Sequence, residues 1–165
     1  MAGNLQTMGK GVTPSQQSRA INVFASRKIA WVGETLYHRA FIMELKEELL
    51  LETKEFRHAN SALEVLLREE YPLIIVRDVL ASGDLKILPE NVERDDYPGI
   101  ACYVIQRIRA KDSANKDTPI IVPHVNSEYY TPVKAYVDAG ATSCLNMMAS
   151  NPLRAFISEV RKYIK

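Results

Sequence analysis

The sequence has no excess of either charge: 21 Lys and Arg stand against 20 Asp and Glu, a formal net charge of +1. A chain so balanced carries no global field to draw it to nucleic acid, to a membrane surface or to a strongly acidic partner. Its Lys and Arg form no patch either, which excludes a DNA-binding reading. Cysteine is scarce. Cys102 and Cys144 are the two in the chain, far apart and without CxxC or Cys/His spacing. They read as small core residues in a reducing compartment, not as a disulfide or a zinc site. No apolar run approaches a membrane span, and the opening stretch MAGNLQTMGKGVTPSQQ has no apolar signal-peptide core. Gly-rich phosphate cradles of the GxGxxG or P-loop kind are missing as well. These absences leave a cytoplasmic globular protein, and 165 residues suffice for one α/β domain with a sizeable core.

Residues 1–27 read as an N-terminal extension, polar and Gly-rich at its start. Thr13-Pro14-Ser15-Gln16 then carries the marks of a helix start, giving a short helix over 14–26 with Ala20, Ile21 and Phe24 on one side. Such a helix lies on the domain or meets a partner or a second copy. From residue 28 short apolar runs alternate with amphipathic stretches. Strands are predicted over 28–33, 54–58, 72–78, 118–124 and 143–147, with Pro123 at the end of its strand. Helices are predicted over 36–52, over 61–70 behind a Ser61/Glu64 capping box, over 99–110, from Thr131 to Gly140, and over the closing stripe Leu153, Phe156, Ile157, Val160, Ile164. Between the third strand and the third helix lies a longer, mixed-charge segment, 79–98. The expected fold class is α/β: a doubly wound, five-stranded parallel sheet with helices on both faces.

In such a sheet the functional crevice lies outside the carboxyl ends of the strands. The residues there are Gly33 and Glu34, Asp78, His124 and Met147. Here the chain resembles the receiver domains of bacterial response regulators, from about Lys28 to Ile164, so that 28–165 reads as one receiver-like domain after the extension. SALEVLLREEYPLIIVRD resembles the helix and strand that lead to the phospho-accepting aspartate, which implies that role for Asp78. IAWVGETLYHR resembles the first strand, the acidic pair and the start of the first helix, with Arg39 at an often basic position. YPGIACYVIQRIR, PIIVPHV and AGATSCLNMM resemble the third helix, the fourth strand and the fifth strand. The resemblance makes 79–98 an insertion of about a dozen residues.

The departures from the family matter most. Phosphorylation needs a carboxylate nucleophile, a divalent cation held by acidic oxygens, a lysine for the phosphoryl group and a hydroxyl to capture it. The resemblance puts Asp78 and Glu34 in the roles of nucleophile and remaining acid, and so makes them the expected ligands of a weak or absent Mg²⁺. Gly33 replaces the other acid, His124 the hydroxyl residue, Met147 the lysine, Met148 the proline after it, and Cys144 the commonly aromatic switch residue. Losing one charged phosphate partner typically costs roughly 100- to 1000-fold in rate. Each residue also has a plainer reading: Asp78 as a cap for backbone amides, Glu34 as an acid at a helix N-terminus, His124 as a structural histidine or as a cation substitute beside Asp78, the methionines as packing. An acid from the insertion, Asp95 or Asp96, could stand in for the one missing at Gly33.

The expectation is a stand-alone, non-enzymatic pseudo-receiver with no output domain and no cofactor. It would signal by binding a sensor kinase or a downstream output protein, or by forming a homodimer. Tyr129, Tyr130, Tyr136, Met147 and Met148 mark the expected partner face. The alternative is a working response regulator, phosphorylated on Asp78 by a histidine kinase with Mg²⁺. A flavodoxin-like enzyme or nucleotide binder is the remaining class.

Overall fold

A computed structural model describes residues 28–34, 38–81, 83, 97–125 and 133–164. The helix expected over 14–26, most of the insertion, with Asp95 and Asp96, and the pair Tyr129 and Tyr130 lie outside these. The described elements alternate as β1 (Lys28–Val32), α1 (Arg39–Leu49), β2 (Glu52–Phe56), α2 (Ala59–Leu66), β3 (Ile74–Val76), α3 (Tyr97–Ile108), β4 (Ile120–His124), α4 (Val133–Ala139), β5 (Ser143–Asn146) and α5 (Pro152–Arg161). The five strands are parallel in the order β2-β1-β3-β4-β5. This is the doubly wound sheet expected from the sequence.

β1, β3 and β4 are apolar at almost every position because both of their faces are covered. Ala30, Val32, Ile74, Val76, Ile120 and Val122 face α2, α3 and α4, where Leu63, Leu66, Val104, Ile105 and Ile108 complete one core. The intervening residues Ile29, Trp31, Leu73, Ile75 and Ile121 face α1 and α5, meeting Leu45, Phe156, Ile157 and Val160 in a second. The edge strands β2 and β5 are only half covered, which explains the charge in ETKEF and the partial exposure of SCLN.

Several boundaries differ from the sequence expectation. The first helix ends at Leu49 and not at residue 52, because Leu50 turns left-handed (φ 54°) and Leu51 donates its N–H back to the Leu45 carbonyl. β2 therefore begins earlier, at Glu52. The Ser61/Glu64 capping box does not form. Ser61 Oγ donates to the His58 carbonyl at 2.9 Å, and the helix starts two residues earlier, at Ala59, whose N–H donates to Ala81. Pro123 lies inside β4, opposite Leu145, and is tolerated because β3 pairs with β4 only through Ile121. β3 ends at Val76 and α3 begins at Tyr97, so the stretch between them is set two residues earlier than 79–98 and is no shorter.

Candidate functional site

Strand register decides what meets at the carboxyl end of the sheet. β1 and β3 are neighbours, with Val32 beside Val76. The next residues, Gly33 and Arg77, therefore fall side by side on the α1/α5 face, while Asp78 falls on the other. The Arg77 N–H donates to the Val32 carbonyl at 2.9 Å and continues the pairing to that point.

Asp78 is buried, 4% exposed. Its two oxygens accept backbone N–H groups, Oδ1 from Val79 and Oδ2 from Val125, both at 2.9 Å. The carboxylate thus ties the end of β3 to the end of β4. Arg77 is also buried, at 9% exposed. Its stem lies over the Gly33 Cα, so that a Cβ on Gly33 would come within 2.8 Å of the Arg77 Cβ, and Gly33 holds φ at +119°. Arg77 Nη1 donates to the Glu34 carbonyl at 2.8 Å, while Nε finds no partner among the described residues. Burial lowers the guanidinium pKa, and the carboxylates of Asp78 and Glu34 pull it back up.

Two histidines border this arrangement. His124 is buried at the end of β4, and its carbonyl accepts the Met147 N–H at 2.9 Å. Burial lowers its pKa below the usual 6.5, against the pull of Asp78. His38 sits between the rings of Trp31 and Phe41, at centroid distances of 5.8 and 5.5 Å. Burial first, and the Arg77 charge second, lower its pKa to about 4, with Asp78 acting in the opposite sense. A histidine with a folded pKa below its unfolded value gains a proton on unfolding. Its contribution to stability is complete above about pH 6.5 and is lost as pH falls toward 4. With the ring partly exposed, the expected loss between pH 7 and pH 4 is on the order of 2 kcal/mol. Urea unfolding at the two pH values reads it, and His38→Phe, which keeps the ring stacking, should remove most of it. An unchanged loss in that variant would clear His38.

The structure thus brings Glu34, Asp78 and His124 to one end of the sheet, as the sequence reading placed them. Cys144 pairs with Val122 one turn of the pleat deeper, and burial lifts its thiol pKa to about 11. Met147 is partly buried beyond β5, whereas Met148 is 70% exposed. Tyr136 is a correction. It is 1% exposed and sits in the α2/α3/α4 core, because α4 turns Tyr136 and Ala139 inward and Val133 and Val137 outward. It cannot belong to a partner surface. Sequence reasoning also missed Arg77 and His38. The sequence shows Arg77 beside Asp78 at the end of a buried run, but its pairing with Gly33 emerges only from the strand register.

Among the described residues the donor set does not fit a magnesium ion. Mg²⁺ demands near-octahedral oxygen ligation. Gly33 offers no side-chain oxygen, and the Arg77 guanidinium is fixed on the Glu34 carbonyl, beside the two carboxylates that remain. Among the described residues no group of three His, Cys, Asp or Glu could hold a metal, and no helix is long and apolar enough to cross a membrane.

The sequence matches no protein-family model and no curated protein. Solved structures match it clearly. The receiver domain of a sensor histidine kinase from Pseudomonas aeruginosa PAO1, crystallised with a magnesium ion coordinated in its active-site cleft, aligns with a TM-score of 0.60 at 15% identity, covering 84% of this chain and 98% of that one. A response regulator from Hahella chejuensis aligns at 0.57 and 22% identity over 83% and 91% of the two chains. A chemotaxis response regulator of Vibrio cholerae aligns at 0.59 and 14% over 82% and 97%. The fold is the receiver fold of response regulators.

Proposed function

We propose that the protein is a signalling module of the pseudo-receiver kind, non-enzymatic and without a cofactor, that acts by binding another protein. The partner is a sensor kinase or a downstream output protein, with a homodimer as the other form the contact could take. The observation that carries this reading is the state of Asp78. A phospho-accepting carboxylate needs a cation to offset the incoming charge. Here Asp78 is buried with each oxygen tied to a backbone amide, of Val79 and of Val125, and Met147 stands where the resemblance calls for a lysine. The outward Val133 and Val137 of α4, 37% and 52% exposed, together with Met148 beyond β5, support a contact surface on that side of the sheet. With two cysteines far apart in the sequence and balanced charge, we place the protein in the cytoplasm and expect it to bind no nucleic acid.

The test is an amide NMR spectrum of the full chain, titrated with Mg²⁺ and then with beryllofluoride, a phosphoryl mimic. Asp78→Ala serves as control. No response is expected. Shifts around Asp78 that spread to α4 and vanish in the variant would overturn this reading in favour of a working response regulator phosphorylated on Asp78.

A further inference from the structure

The glycine at position 33 and the arginine at position 77 are one feature. They are neighbours on adjacent parallel strands, and the Arg77 stem fills the volume that any side chain on Gly33 would need. The chain therefore lacks an acid and gains a cation at the same spot. That cation is fixed. Its stem is buried against the glycine, its head is anchored on the Glu34 carbonyl, and it is covalently next to Asp78. Arginine stays protonated in a protein, so the charge is permanent. The two histidines nearby do not compete for this role, since burial favours their neutral forms.

We propose that Arg77 is a resident cation of the strand-end crevice: its guanidinium, hydrogen-bonded to the Glu34 carbonyl and on the residue next to Asp78, supplies the positive charge there and excludes a divalent ion from that place. The crevice is then permanently in one electrostatic state and insensitive to magnesium. This deepens the reading of the site as one that takes up no phosphate, and it rests on that reading. It adds that Arg77 keeps the two remaining carboxylates, Glu34 and Asp78, from sharing a divalent ion.

The experiment is a Mg²⁺ titration of the full chain without any phosphoryl mimic, on wild type, Arg77→Lys, Arg77→Ala and Arg77→Met. Two signals are read: the fluorescence of Trp31, the single tryptophan of the chain, and the thermal midpoint. Wild type and Arg77→Lys should stay flat in both. Arg77→Ala should show a saturable fluorescence change and a rise in Tm of about 3–6 °C at tenfold excess over its Kd. Arg77→Met keeps an apolar stem over Gly33 without the charge, and should respond in the same way if the alanine variant fails to fold. A Mg²⁺ response in wild type overturns the proposal, and so does a flat titration in both uncharged variants. Neither result touches the beryllofluoride outcome in wild type, so the two readings fail separately.

Discussion

Replacing Asn115 with alanine is expected to lower the stability of the domain by about 3–4 kcal/mol. Asn115 is fully buried, at 0% exposed, and uses every hydrogen-bonding position that its amide offers. Oδ1 accepts from the Tyr71 N–H at 2.8 Å and from Thr118 Oγ1 at 3.1 Å. Nδ2 donates to the carbonyls of Leu66 and Glu69, both at 2.6 Å. Alanine would strand the Tyr71 N–H and two carbonyls where water has little access, and an unmet buried polar group costs roughly 1–3 kcal/mol. Asn115→Asp should be worse than alanine, since it turns a carboxylate oxygen toward the two carbonyls. Urea unfolding at pH 7 gives the answer through the midpoint at unchanged slope. An aspartate variant as stable as wild type would remove this account of the residue.

Reinstating an acid next to Glu34 is the second large effect, and its sign is the less intuitive one. Gly33→Asp should cost about 3 kcal/mol and gain no magnesium binding. Two separate costs arise: a backbone at φ +119°, which L side chains rarely adopt, and a Cβ pushed to 2.8 Å from the Arg77 Cβ. Adding Arg77→Gly removes that Cβ and relieves the overlap but leaves the backbone strain at position 33. The double variant should therefore be more stable than the sum of the single losses implies, and a double-mutant cycle measures the difference as a coupling of about 1 kcal/mol or more. Additive losses would mean that the two residues do not interlock.

How far the sequence was readable depends on how local each cause is. β1, β3 and β4 were legible because burial on both faces leaves an unbroken apolar run, and α5 because its stripe of Leu153, Phe156, Ile157 and Val160 is unambiguous. The end of α1 was not, since the leucines at 49, 50 and 51 continue a helical pattern and Leu50 turns left-handed without a glycine to announce it. Ser61 and Glu64 had the spacing of a cap, but the contact of His58 and Ala59 with Ala81 fixes the chain entry from a distance. Tyr136 was misplaced because α4 carries apolar residues on both sides, so its periodicity does not say which of them points inward. Asp78 could be found from its strand and from the resemblance. Arg77 could not, because its role exists only once β1 and β3, which are not consecutive in the chain, lie side by side.

β4 is held at both ends by side chains from elsewhere. At its start, Arg109 Nη1 donates to the carbonyls of Lys116 and Thr118, and Thr142 Oγ1 accepts from the Ile120 N–H. At its finish, Asp78 holds the amide of Val125. The middle of the sheet behaves mechanically as a beam clamped at both supports. Compliance is left to the margins, β2 and β5 with the helices beside them.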